Sequence, residues 1–163
     1  MSPLPLETER LRLRPATPED LEAWHAISID AEQAWFGEAT STLDDTLGRL
    51  RRHIAHQASH GFAIWAVELA ETGEIIGRAG LNHLEDGPEI EVGYAFLRPR
   101  WGHGYATEAA RACVAYGFAE MDLEKIVADV EPANEASARV LEKCGFERVG
   151  QLDDGRLFYA VTR

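Results

Sequence analysis

The sequence predicts an α/β fold of the α+β kind, in which a mixed, mostly antiparallel sheet of about seven strands is flanked by about four helices. Short turn segments such as Glu71-Thr72-Gly73 separate successive strand patterns, and connections this short join only antiparallel neighbours. One long helical pattern separates two strands near the middle of the chain, which makes that pair parallel. At 163 residues, the chain is expected to form one domain spanning residues 1–163.

The elements follow in order. Residues 9–15 alternate arginine with leucine, as in a half-exposed strand. Thr17–Asp20 has the cap, proline and acids of a helix start, and that helix is predicted to end near Ile29. A loop carrying Trp35 and Phe36 follows, and then a second helix from residue 43 to about residue 60. Further strands are predicted at residues 62–69, 74–84, 90–97, 125–131, 146–152 and 156–161, with helices beginning near Tyr105 and after Asn134.

The most informative stretch joins the strand at 90–97 to the helix that begins near Tyr105. Gly102 and Gly104 remove side chains where the backbone enters this helix. The first N–H groups of a helix are unpaired and lie at the positive end of its dipole, so they can hold a pyrophosphate. A tight turn that needs two glycines has the same pattern. The dinucleotide fingerprint is excluded because it requires a third small residue at Thr107.

Residues 100–108, Arg-Trp-Gly-His-Gly-Tyr-Ala-Thr-Glu, resemble the acetyl-CoA loop of the GNAT superfamily of N-acetyltransferases. The superfamily pattern Gln/Arg-x-x-Gly-x-Gly/Ala is matched at Gly104 and Ala106, with Trp101 in the first position. The wider segment VGYAFLRPRWGHGYATEA, residues 92–109, is similar to the RimJ/RimL type of ribosomal-protein acetyltransferases, in which such a tryptophan is usual. The segment at 132–146 resembles the Asn-x-x-Ser…Gly-Phe signature of the same superfamily. The order of predicted elements is that of the GNAT fold.

The resemblance implies an enzyme that moves an acetyl group from acetyl-CoA to a primary amine by direct attack in a ternary complex. It implies no metal and no covalent enzyme intermediate. Arginines and a histidine at the loop would offset the charge of the cofactor, although solvated surface charges would look the same. The cofactor-binding residues expected are Val92, Gly93, Tyr94, Arg98, Arg100, Trp101, Gly102, His103, Gly104, Tyr105, Ala106, Thr107, Asn134 and Arg139.

Glu91 is the candidate general base, because it lies on the central strand a few residues before the loop. Asp129 and Glu131 on the partner strand are alternatives, and Glu91 is also compatible with a surface carboxylate. Gly93 in mid-strand predicts a bulge that frees a backbone N–H to polarise the thioester carbonyl. Alternatively, Gly93 makes room for the side chain of Trp65 or Tyr105.

Ser137 is the second catalytic candidate, since the resemblance implies that its hydroxyl reaches the departing thiolate. Asn134 is expected to cap the helix that carries Ser137 and, by the resemblance, to contact the pantetheine arm. Trp35 and Phe36 are expected to line the acceptor pocket, with core packing as the equal alternative.

The formal net charge of −12 argues against nucleic-acid binding and favours cationic partners. No apolar run is long enough to span a membrane, and the N-terminal residues lack the features of a signal peptide. The two cysteines are expected to be buried thiols, which fits a cytoplasmic location. His53, His56 and His60 fall near one helix face and are expected to be a solvated surface without a metal ion.

Two functional alternatives remain open. One is a regulatory module that binds acyl-CoA without catalysis, and the other is an acetyltransferase for small-molecule amines. A peptide α-amine is favoured as the acceptor because its pKa near 8 leaves more of it neutral at pH 7 than of a lysine side chain. The protein is expected to act as a monomer or a homodimer.

Overall fold

The computed structural model describes residues 4–163, apart from the side chain of residue 86. Within that part of the chain, one sheet has the strand order β1-β2-β3-β4-β5-β6-β8-β7. The strands are β1 (Leu6–Glu7), β2 (Leu11–Arg14), β3 (Ile64–Leu69), β4 (Ile75–His83), β5 (Ile90–Phe96), β6 (Lys125–Val130), β7 (Glu147–Gln151) and β8 (Leu157–Thr162). The helices are α1 (Leu21–Phe36), α2 (Leu43–His60), α3 (Tyr105–Ala119) and α4 (Glu135–Lys143). All neighbouring strands are antiparallel except β5 and β6, so the predicted mixed sheet is confirmed.

Helix α1 is longer than the sequence predicted, and this corrects the placement of Trp35 and Phe36. Both residues lie in its last turn rather than in a loop. The physical reason is that residues 21–36 contain neither glycine nor proline, so nothing interrupts the helix. It ends at Gly37, whose φ of 80° is the left-handed conformation that glycine adopts without a steric penalty.

The two faces of the sheet carry different helices. A large apolar cluster that includes Val92, Cys113 and Leu141 lies between the sheet and the α3–α4 face. A smaller cluster around Trp24 and Leu50 lies beneath α1 and α2. Because side chains alternate along a strand, β5 directs Ile90, Val92 and Phe96 to one face, and Glu91, Gly93 and Ala95 to the other. Among residues 4–163, no helix is long and apolar enough to cross a membrane.

The two parallel strands at the centre of the sheet diverge after a short paired stretch. Strands β5 and β6 pair at one position, Glu91 with Val127. The strand β4, by contrast, pairs with β5 along its whole length, from Ile90 to Phe96. The divergence of β5 and β6 therefore opens a cleft through the middle of the sheet, next to the N-terminus of α3.

Candidate active site

A cavity of about 820 Å³ occupies this cleft. It lies between the diverging strands, the last turn of α1 and the N-terminal ends of α3 and α4. It brings together sixteen of the eighteen residues that the sequence predicted for the site. They are Trp35, Phe36, Glu91, Val92, Gly93, Tyr94, Arg100, Trp101, Gly102, Gly104, Tyr105, Ala106, Thr107, Asn134, Ser137 and Arg139.

Arg98 and His103 are the two predicted residues that do not line the cavity. The backbone N–H of Arg98 donates to Asp30 at 2.7 Å, and its guanidinium lies 5.2 Å from the centre of the Trp101 ring. The backbone carbonyl of His103 accepts from Arg10 Nη1 at 2.9 Å. These contacts hold the shape of the loop between β5 and α3.

The N-terminus of α3 has the geometry that an anion requires. Gly104 precedes the helix with a φ of 81°, and a Cβ built there would lie 3.4 Å from Arg10 Nη2. No side chain among the described residues caps this helix end, so its first N–H groups have no side-chain acceptor, and the residues that carry them line the cleft. A phosphate placed there would receive these hydrogen bonds and the favourable end of the helix dipole.

An ion pair fastens this helix to the N-terminal strands. Arg10 Nε lies 2.7 Å from Glu108 Oε1, and the Arg10 guanidinium lies 4.4 Å from the centre of the Tyr105 ring. Thr8 Oγ1 donates to the same carboxylate at 2.5 Å. Burial would raise the pKa of Glu108, but these hydrogen bonds hold that pKa below its ordinary value. Sequence reasoning missed this ion pair, because Arg10 and Glu108 are 98 positions apart and no local pattern links them.

A second, more open groove of about 660 Å³ begins at the same helix end. It shares Gly104, Thr107 and Lys143 with the cleft, and its other cationic residues are Arg10 and Arg111. The two spaces together run from a surface that carries Arg111 and Lys143, beside the Arg10–Glu108 ion pair, past the helix N-terminus to the middle of β5. The residues present therefore fit a long ligand with a polyanionic end, as CoA is.

Glu91 is half-buried in the cleft, and its pKa is raised to about 7. Desolvation by burial is the main cause, and the nearby charges of Asp129 and Glu85 add to it. Arg156 opposes them. A carboxyl group with this pKa exchanges its proton readily near neutral pH, which is the property that a general base needs.

The two alternative bases differ from Glu91 in their surroundings, although both line the cleft. Asp129 Oδ2 forms an ion pair with Arg156 Nη1 at 3.0 Å. Burial raises the pKa of Asp129, and the charge of Arg156 counteracts that rise. Glu131 is exposed to solvent. Glu91 is therefore the carboxyl group of the three that combines burial with the absence of an ion-pair partner among the described residues.

Tyr94 and Ser137 meet on the opposite face of β5. The Tyr94 hydroxyl donates to the backbone carbonyl of Ser137 at 3.1 Å and lies 2.9 Å from its Oγ. Asn134 Oδ1 accepts from the backbone N–H of Ser137 at 3.0 Å, so the predicted helix cap is confirmed. Burial raises the pKa of Tyr94 above its ordinary value, and the phenol therefore stays protonated at neutral pH. The sequence indicated Tyr94 only as one of the expected cofactor-binding residues, and the approach of its hydroxyl to α4 was missed.

Gly93 does not form the bulge that the sequence predicted. It pairs with Gly80 in an uninterrupted register between β4 and β5. Its neighbour is Ile64, whose Cδ1 would lie 3.4 Å from an added Cβ, rather than Trp65 or Tyr105. The backbone groups of β5 that lack a ladder partner arise instead from the divergence of β6, a tertiary feature with no local signal in the sequence.

Arg78 is a further cleft residue that sequence reasoning missed. It is half-buried beneath α1, donates to Ser28 Oγ at 2.9 Å, and lies 5.6 Å from the centre of the Trp24 ring. Burial lowers the pKa of Arg78 to about 10, which leaves it cationic at neutral pH. The cleft therefore carries cations as well as carboxylates, although the whole chain has a net charge of −12.

Comparison with known proteins agrees with this architecture. A family model described as an acetyltransferase (GNAT) domain matches residues 10–147. YoaA of Bacillus subtilis, an uncharacterised N-acetyltransferase, is 35% identical over 151 residues, covering 90% of this chain and 85% of YoaA. Spermidine N(1)-acetyltransferase of Escherichia coli is 27% identical over 145 residues, covering 87% of this chain and 75% of that protein.

Among solved structures, an acetyltransferase from Agrobacterium tumefaciens has a TM-score of 0.88 and 31% identity, covering 100% of this chain and 96% of that one. The fold and the cleft thus define an enzyme of the acetyltransferase class. The chain belongs to the GNAT family, whose members use acetyl-CoA.

Proposed function

We propose that the protein acetylates a primary amine, with Glu91 as the general base and the cleft as the acetyl-CoA site. The observation that carries this proposal is the position of Glu91, a half-buried carboxyl group of pKa about 7 at the point where β5 and β6 diverge. Glu91 is near the start of β5, and the N-terminus of α3, which is suited to phosphate, follows the other end of that strand. Acetyl-CoA bound in the cleft supplies the acetyl thioester.

The residues proposed to accept the proton and to stabilise the departing thiolate lie on opposite faces of β5. Glu91 accepts the proton that the amine loses as it attacks the thioester directly. On the opposite face, the Ser137 hydroxyl, positioned by Tyr94 and Asn134, donates a hydrogen bond to the departing thiolate. The N–H groups at the start of α3 hold the pyrophosphate. One domain, residues 1–163, contributes every group.

We further propose a RimJ/RimL-like preference for the α-amine of a peptide N-terminus, on the likeness of residues 92–109 to that type. The pKa of an α-amine, near 8, supports this choice, because a larger fraction of it than of a lysine side chain is neutral and able to attack at neutral pH. Arg78, a cleft cation that forms no ion pair with the described residues, is an unfavourable neighbour for a polyamine. A small-molecule amine is the second candidate, because the spermidine acetyltransferase is a relative over most of the chain.

The test is a panel of amines incubated with acetyl-CoA, with free thiol release as the signal. Short peptides with free N-termini, the same peptides with blocked N-termini and an internal lysine, and spermidine form the three arms. The highest kcat/KM is expected for the free N-termini. Turnover of spermidine alone would establish the second candidate. CoA binding without turnover of any amine would indicate a regulatory module.

A further inference from the structure

Three histidines meet where the end of α2 lies beside the end of β4, and none of them lines the cleft. His56 and His60 lie one turn apart near the end of α2, and His83 is the last residue of β4. One ring nitrogen from each lies within 4.8 Å of the other two. The ring centres are 4.5–4.9 Å apart, so the three imidazoles form one compact group. We refer to these three residues as the histidine trio.

The trio differs from the helix face that the sequence indicated. His53 lies outside the histidine trio, and its ring centre is 5.6 Å from that of Trp24. Burial lowers the pKa of His53 to about 4. His83 takes its place from a different element, 27 positions along the chain from His56. The sequence-based expectation of a solvated surface rested on the lack of a further ligand and of a buried setting. The fold brings His83 to the other two histidines, whereas His60 is exposed.

We propose that the histidine trio binds one divalent late transition-metal ion, of which Zn²⁺ is the reference case, and thereby fastens α2 to β4. Neutral imidazole nitrogens are preferred ligands of Zn²⁺, Ni²⁺ and Cu²⁺, and poor ligands of Mg²⁺. Three protein nitrogens leave a fourth tetrahedral position for water. The site is separate from the cleft, because none of its three residues lines that cavity.

A hydrogen bond already orients the central ligand. His56 Nδ1 lies 2.7 Å from the backbone carbonyl oxygen of Phe62, which can only accept. The Nδ1 proton is thereby fixed, and the lone pair is left on Nε2, the atom directed at His83. Metal-bound histidines have this same arrangement, in which the second ring nitrogen donates to a carbonyl or carboxylate and sets the ring orientation.

The adjustment needed to admit a metal ion is small. His56 Nε2 and His83 Nδ1 lie 2.8 Å apart, which is a direct hydrogen bond. Two ligands of a tetrahedral zinc ion, each about 2.0–2.1 Å from the metal, lie roughly 3.3–3.4 Å apart. The pair would therefore separate by about half an ångström, and His83 Nδ1 would bind the metal ion in its unprotonated form. His60 is exposed, so its ring is free to rotate into place.

The experiment titrates the untagged full chain with ZnCl₂ by calorimetry and repeats it with MgCl₂. The matched variants are His60→Gln and His83→Gln, and the control is His103→Gln, which removes an exposed histidine outside the trio. The wild-type protein and the control should bind one Zn²⁺ per chain. Loss of one ligand should weaken binding at least tenfold, in line with the 10–100-fold effects known even for outer-shell partners.

Thermal melting provides a second measurement on the same proteins. At a free Zn²⁺ concentration of about 100 times Kd, the wild-type Tm should rise by roughly 5–10 °C, and a chelator should reverse the rise. His60→Gln should melt like the wild type without zinc, since His60 is exposed. At the same zinc concentration its Tm should rise by no more than about half as much as that of the wild type. Absence of saturable Zn²⁺ binding, equal binding of Mg²⁺, or unchanged Zn²⁺ affinity in both trio variants would overturn the proposal.

Discussion

Replacing Glu91 with glutamine tests the proposed chemistry most directly. The substitution keeps the size of the side chain and removes its ability to accept a proton. A positioned general base contributes about 10²–10⁴-fold to turnover, so kcat should fall by that factor. CoA affinity should change little, because the proposed phosphate site lies at the α3 helix end and not at Glu91.

The pKa of Glu91 makes the prediction quantitative. With a pKa of about 7, the deprotonated fraction of this carboxyl group is roughly 9% at pH 6 and 91% at pH 8. The rate that depends on Glu91 should therefore increase about tenfold across this range. The acceptor amine also loses its proton as pH rises, but this affects wild type and variant equally. The ratio of their kcat/KM values isolates the contribution of Glu91.

The assay is thiol release at saturating acetyl-CoA, measured at several pH values from 6 to 8 for wild type, Glu91→Gln and Glu131→Gln. Glu131→Gln is the matched control, because Glu131 lines the same cleft but is exposed. The ratio of wild type to Glu91→Gln should rise with pH, while Glu131→Gln should follow the wild type. A ratio that is independent of pH, or a larger loss in Glu131→Gln, would refute Glu91 as the base.

Stability provides an independent check on the same substitution. The folded-state pKa of Glu91 lies above its ordinary value of 4.5, so the folded protein binds this proton more tightly than the unfolded chain. The stability of the wild type relative to Glu91→Gln should therefore decrease as pH rises through the window from about 4.5 to 7. Glutamine carries no such penalty, and Glu91→Gln should melt at a higher temperature than the wild type at pH 8. The two proteins should approach equal stability below pH 4.5.

Three further outcomes are expected. Gly104→Ala should weaken CoA binding at least tenfold in calorimetry. The control is Gly155→Ala, since Gly155 is also left-handed and an added Cβ would meet no atom within 4 Å; this variant should lower Tm without changing CoA binding. Ser137→Ala and Tyr94→Phe should each lower kcat about tenfold. The double variant should lower kcat little further, because the two hydroxyls act together. A thioester whose leaving thiol has a lower pKa should restore the activity of all three variants. Asp129→Asn should move the acidic limb of the kcat/KM profile to lower pH, because the negative charge of Asp129 raises the pKa of Glu91.

The sequence by itself determined most of the elements and the central loop. Period-two alternation placed β5, and two glycines placed the start of α3 at Tyr105. Asn134 marked the cap of α4, and short turns indicated an antiparallel sheet. These features depend on residues close together in the chain, whose conformational preferences act locally. The error at Trp35 and Phe36 was of the same local kind, since no residue between 21 and 36 signals a helix end.

The tertiary structure alone decided how distant residues meet. Tyr94 reaches Ser137 across 43 positions, Arg10 reaches Glu108 across 98, and the histidine trio needs β4 beside the end of α2. The raised pKa of Glu91 likewise depends on burial in a cleft and on the charge of Asp129 from the next strand. Proximity, desolvation and charge all depend on distances in space. Local periodicity carries no information about those distances, and they are fixed only when the sheet and its helices pack together.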